Sequence, residues 1–196
     1  MENAFLKKFF SKIFGFWQDV DEREQSHKMD TRRKTIPGFD HYTIDTFGAV
    51  RNAEGRVLTI QMNQQGTVYV SLYRGNGKYS TRAISKLVAE AFIRKPHPSF
   101  DTPINLNGDR TDNQVLNLAW RPRWFAFRYH RQFENPINQP PVMDVRTNIV
   151  FPSPHEAAMQ FGLIAAEIYT QAWNYSSRAE TRETVWPTRQ QFCVLT

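Results

Sequence analysis

The densest group of chemistry-bearing side chains lies between residues 105 and 113, where Asn105, Asn107, Asp109, Asp112 and Asn113 surround an Asn107-Gly108 turn. Amides and carboxylates this close can hold a weakly bound divalent ion, and Asn105 with Asn107 or Asp109 is the set that would do so. The same residue types also satisfy backbone groups in turns, a reading that needs no ion. The five histidines, His27, His41, His97, His130 and His155, form no recognisable metal-binding spacing. The one cysteine, Cys193, allows neither a disulfide framework nor a cysteine-based zinc site within the chain and fits a reducing cytoplasm. A second group is cationic: Arg121, Arg123, Arg128 and Arg131 interleave with Trp124, Phe125, Phe127 and Tyr129. Guanidinium groups among aromatic rings offer phosphate contacts and stacking surfaces. A solvated charged face over an aromatic core shows the same pattern.

The elements that would hold these groups can be read from periodicity. Residues 36–84 have strand character: Tyr42 and Ile44 alternate with polar residues, Val57 to Ile60 form a short run, and Val68, Val70 and Leu72 follow at period two. Gly75-Asn76-Gly77 marks a turn, after which Tyr79 to Ile84 is extended. Leu87, Val88, Ala91 and Phe92 then switch to helical spacing over residues 85–93, and Pro96 and Pro98 end that helix. Asp112 or Asn113 is placed to cap a short helix carrying Val115 and Leu116. Leu118 to Trp120 is extended, and Pro122 suits the first turn of a helix reaching about Phe133. Pro136, Pro140 and Pro141 mark a linker. Residues 142–151 predict a hairpin turning at Arg146 to Asn148. Ser153, Pro154 and Glu156 predict a capping box with proline at the first helical position. Ala157, Ala158 and Phe161 form that helix's inner face, and Gly162 ends it. A second helix runs from about Leu163 to Trp173, with Ile164, Ile168 and Ala172 inside. Two short helices joined at a glycine are a helix-turn-helix candidate, with Gln171 and Asn174 placed to read base edges. The second helix carries Glu167 and no basic residue, so protein contact is the alternative.

At the N-terminus, residues 4–17 predict an amphipathic helix with Phe5, Phe9, Phe10, Phe14 and Trp17 as partner-binding anchors and Lys7, Lys8 and Lys12 on the other side. Docking on a partner protein or on the chain's own body is expected ahead of membrane binding. The nearly continuous charge of residues 18–35 predicts a linker or solvated helix. No apolar run approaches the ~20 residues that span a bilayer. Lys12 interrupts the early apolar run, and no small-residue cleavage site follows it. A formal net charge of +6 steers the protein towards anionic partners, nucleic acid first.

Two stretches resemble a known family. Ile36-Pro37-Gly38-Phe39, Leu87-Val88-Ala89-Glu90-Ala91-Phe92, Asn107-Gly108-Asp109-Arg110-Thr111-Asp112-Asn113 and Asn117-Leu118-Ala119-Trp120 resemble the phage HNH homing endonucleases with their nuclease-associated β-domain. Val145 to Gly162, with Phe-Pro-Ser-Pro-His-Glu-Ala-Ala at 151–158, is similar to the helix-turn-helix module behind such nucleases. The resemblance covers residues 36–175. It implies an α+β chain: a small antiparallel β-domain, then a degenerate ββα-metal unit, then a C-terminal helix-turn-helix module. The units are 1–35 (helix and linker), 36–93 (β-domain with closing helix), 94–134 (HNH-like unit) and 135–196 (linker and C-terminal module).

The resemblance also implies a metal site and supplies its register. The family's general-base histidine falls on Asn105, the ligand beside it on Ile104, the aspartate two residues later on Asn107, and the helical asparagine ligand on Ala126. The family's terminal histidine falls near Tyr129, with His130 adjacent, and Ser85 stands where a histidine usually precedes Leu87. Asparagine has no useful basicity near pH 7, and isoleucine and alanine bind no metal. Confident catalytic residues are therefore none; Asn107, Asp109 and His130 are remnants, and no metal or cofactor is expected unless Mg2+ or Mn2+ serves residual nuclease activity. The expected function is double-stranded DNA binding through Arg121, Arg123, Arg128, Arg131, Gln171 and Asn174, with cleavage lost. Two alternatives stand: an active nicking endonuclease using substituted ligands, and a phage structural or protein-interaction component. The expected location is the cytoplasm of an infected bacterial host, with virion association as the variant.

Overall fold

A computed structural model describes residues 32–134, 139–177 and 183–195. The expected N-terminal helix, with Phe5, Phe9, Phe10, Phe14 and Trp17, lies outside these residues. So does most of the charged stretch; its last residues belong to a strand instead, because β1 (Arg33–Ile36) pairs antiparallel with β2 (Phe39–Asp45). The expected boundary at residue 35 therefore falls inside a sheet.

β1, β2 and β3 (Val50–Arg51) form one three-stranded sheet. β4 (Gln61–Met62), β5 (Val68–Gly75) and β6 (Lys78–Ala83) form a second. Helix α1 (Ile84–Phe92) covers both: Leu87 and Val88 pack into a core with Ile36, Ile44, Val70 and Leu72. Period-two alternation on β5 puts Val68, Val70 and Leu72 inside while Tyr69 and Ser71 are half-buried. The apolar run from Val57 to Ile60 is not a strand. Val57 and Ile60 are exposed; a single bridge to Arg51 and the packing of Leu58 on the β-domain core hold the segment.

One turn device recurs. Asp45, Asn52 and Asn63 each use a side-chain oxygen to accept the N–H four residues ahead, at 2.9 Å in all three cases. Each also accepts, on its backbone oxygen, the N–H of a glycine three residues ahead. Those glycines, Gly48, Gly55 and Gly66, hold φ between 78° and 88°, a region where other residues are strained. Asn105 shares only the backbone half of this device, its oxygen accepting the N–H of Gly108 at 2.9 Å.

β7 (Thr102–Asn105) and β8 (Leu118–Arg121) pair antiparallel, with Ile104 opposite Ala119, and α2 (Arg123–Arg131) follows. Pro122 sits one residue before the helix rather than inside it. A 3₁₀ turn at Val115–Asn117 precedes β8, and Gln114 stands at its start without a side-chain cap, so neither Asp112 nor Asn113 caps it. This ββα unit is sewn to the β-domain: Trp120 donates from Nε1 to the oxygen of Ile93 at 3.0 Å, and Leu118 belongs to the β-domain core.

The C-terminal unit carries the expected hairpin of residues 142–151, extended by a third strand that the periodicity did not reveal. β9 (Val142–Asp144) lies between β10 (Val150–Phe151) and β11 (Phe192–Val194). On it pack α3 (Pro154–Phe161) and α4 (Ala165–Ser177). Ser153 Oγ accepts the N–H of Glu156 at 3.3 Å, Pro154 opens α3, and Gly162 ends it at φ 62°. Leu163 and Ile164 form the connection, so α4 begins two residues later than its apolar spacing suggests.

Candidate nucleic-acid interface

The ββα unit and the β-domain enclose a groove of about 1010 Å³. Its floor includes Asn105 at the end of β7 and Ala126 on α2. Helical spacing brings Arg123, Phe127, His130 and Arg131 onto the same face of α2. The turn after β7 contributes Asp109 and Arg110, and α1 contributes Lys86 from the opposite wall. Four cationic side chains, Lys86, Arg110, Arg123 and Arg131, share the groove with three carboxylates, Asp101, Asp109 and Glu134.

Of the positions that the resemblance assigns to a metal site, Ile104 and Ala126 lie in an apolar cluster and Asn105 is buried beside the turn. Ile104 is fully buried and packs in one cluster with Phe125, Ala126, Tyr129 and Ile164. Asn105 is buried, and its Nδ2 donates to the oxygen of Asp112 at 2.8 Å and reaches Asn113 Oδ1 at 3.4 Å. Asn107 accepts the N–H of Asp109 and donates to Asp112 Oδ2, both at 2.9 Å. Asp109 accepts both the hydroxyl and the N–H of Thr111, at 2.7 and 2.8 Å, and these bonds hold its carboxyl below the usual carboxylate range. The remnant residues thus stabilise the turn that carries them. Ile104 and Ala126 offer no donor atom, so these residues do not fit a divalent ion. Among the described residues, no group of three or more His, Cys, Asp or Glu side chains is placed to hold one.

His130 lines the groove with Nδ1 buried and unpartnered. Burial, reinforced by Arg110, pushes its pKa down to about 4, so it is neutral at pH 7. A base that weak does little to deprotonate water.

The four expected arginines separate. Arg123 and Arg131 line the groove. Arg128 pairs instead with Glu167 of α4 at 2.8 Å. Arg121 is 8% exposed, which removes it from any phosphate path. Its guanidinium donates to the oxygens of Gly162 at 3.0 Å, Phe161 at 2.8 Å and Trp120 at 2.8 Å. It is therefore a clamp between the ββα unit and the end of α3. Burial lowers its pKa, but a guanidinium stays charged. Tyr129, its own pKa raised by burial, donates to the oxygen of Leu106 at 2.7 Å. Gln132 completes the junction: Oε1 accepts the N–H of Ala165 at 2.9 Å and satisfies the start of α4.

Gln171 reads no base. It is 6% exposed, and its Oε1 accepts the N–H of Phe192 at 2.7 Å. Spacing placed it outside because β11, the strand it serves, was not foreseen. Asn174 is half-buried on the last turns of α4. Sequence reasoning missed Lys86 and Arg110. The signal for Arg110 was its place in the Gly-Asp-Arg-Thr turn, whereas nothing local marked Lys86 before α1 was set against β7.

Two proteins of Acanthamoeba polyphaga mimivirus, each named "Uncharacterized HNH endonuclease", are similar to this chain. One is 33% identical over 86 residues, 43% of this chain and 22% of that protein. The other is 34% identical over 93 residues, 47% of this chain and 27% of that protein. The matches thus span about a quarter of the length of these relatives, and over them the chain is HNH-endonuclease-like. A solved structure titled "DNA binding and cleavage by the HNH homing endonuclease I-HmuI" is similar over 84% of this chain and 98% of its own, at 19% identity and a TM-score of 0.47. No protein-family model matches the chain.

Proposed function

We propose that this protein binds double-stranded DNA in the groove between α1 and α2 and does not cleave it. The observation that carries the reading is the pairing of two features in one place. Arg123, Arg131, Arg110 and Lys86 line a groove of about 1010 Å³. Beside them, the positions aligned with an HNH metal site hold Ile104, Asn105 and Ala126.

Phosphate contacts from both walls would fix the duplex in register. Asp109 is turned back onto Thr111, which limits its repulsion of phosphate. Cleavage needs a base to deprotonate water and a cation to stabilise the leaving oxygen. The Asn105 amide supplies neither. The names of the mimivirus relatives support an HNH-endonuclease-like ancestry.

The test is duplex binding followed by anisotropy as salt is varied. Neutralising up to four phosphates gives a log–log slope of about −2 to −4. A slope near zero, or no binding at 50 mM salt, would favour the alternative that the old surface holds another protein.

A further inference from the structure

Phe127 stands out within the groove. It is 65% exposed, on the face of α2 that carries Arg123 and Arg131. Large apolar side chains are ordinarily exposed singly and without meaning. This one sits on the lining of a groove that also holds Lys86, Arg110, Arg123 and Arg131. The Arg131 guanidinium lies 5.7 Å from the ring centroid, so one charged neighbour supports the ring. The residues that hold α2 in place, Phe125 and Tyr129, point into the core on the other side. Phe127 is therefore presented from a rigid element, with cations on either side of it along the helix.

From this placement we infer that Phe127 is a stacking wedge: when a duplex lies in the groove, the ring enters the base stack and kinks the DNA there. The inference rests on the duplex-binding reading above and adds a substrate preference to it. Inserting an aromatic ring requires partial unstacking of one base step. Duplexes with a weakened step, such as a single mismatch, already lack part of that stacking and should be preferred. The phosphate contacts supply affinity for any duplex, and the wedge supplies the discrimination.

The experiment compares matched duplexes with duplexes carrying one mismatch, each labelled with 2-aminopurine beside the varied step. For the wild-type protein the expected result is about tenfold tighter binding to the mismatched duplex, with a rise in 2-aminopurine emission on binding. Phe127→Ala should remove both the preference and the emission change while matched-duplex affinity falls by less than about threefold. Phe127→Trp should keep both. A preference that survives in Phe127→Ala, or a wild-type protein that binds matched and mismatched duplexes equally, overturns the wedge while leaving duplex binding intact. Failure to bind any duplex overturns the groove reading itself, and the wedge with it. The ring is exposed, so the alanine variant should fold, which an unchanged melting temperature verifies.

Discussion

On α2, Arg123 and Arg131 reach the groove, with Phe127 between them. On α4, Gln171 Oε1 accepts the N–H of Phe192, and Glu167 is paired with Arg128. Both helices carry polar residues of the types that contact DNA. They differ in what lies behind those residues. α2 rests on the ββα core through Phe125 and Tyr129 and leaves its opposite face open. α4 lies against β11, whose backbone N–H groups need acceptors from the helix. A side chain's residue type therefore says less about its task than the number of internal groups that already claim it.

Substitutions that separate structural from groove side chains give a direct measure of this difference. Arg121→Ala has the largest expected effect. It leaves three buried carbonyls short of a donor and should cost about 3 kcal/mol of stability, read in a denaturant titration. The folded fraction should bind DNA as the wild type does. If Arg121→Ala instead weakens binding at unchanged stability, the clamp is not its task. Next is the pair Arg123→Ala and Arg131→Ala. Together they should weaken duplex binding by about 100-fold and make the salt slope shallower by about two, with stability changed by less than about 0.5 kcal/mol. Gln171→Ala follows, at about 1.5 kcal/mol of stability with duplex affinity unchanged; a loss of sequence preference would return it to base reading.

The smallest effect concerns pH. The unfolded chain protonates His130 near 6.5, whereas the folded protein resists protonation until about pH 4. Between those values the unfolded state binds more protons, so stability falls as pH drops through this window and is unaffected by His130 above it. His130 is only part-buried, so the loss in melting temperature between pH 7 and pH 5 should be about 3 °C. His130→Gln should flatten that part of the curve, and an unaltered curve would show that other groups carry it.

The ββα unit was legible because its signals are local. Pro122, the Asn107-Gly108 turn and the Asn-Leu-Ala-Trp strand each fix their own backbone. Ile104 and Ala126 share one core cluster, and Asn105 and Ala126 line the same groove. Arg121 and Gln171 were misassigned because burial is settled by distant partners. Arg121 meets oxygens about 40 residues away, and Gln171 meets a strand 21 residues ahead that has only three residues and no alternating pattern to announce it. Lys86 reached the groove by the packing of α1, which no short window contains.

We propose that the groove binds DNA while Ile104, Asn105 and Ala126 leave it unable to cut. This is tested most directly by incubating supercoiled plasmid with protein at a concentration that saturates binding, in millimolar Mg2+ and, separately, Mn2+. The expected result is a retarded plasmid that stays supercoiled after the protein is removed, with Asn105→Ala behaving identically. Metal-dependent conversion to the nicked circle at sub-stoichiometric protein would contradict it and point to an active centre elsewhere in the chain.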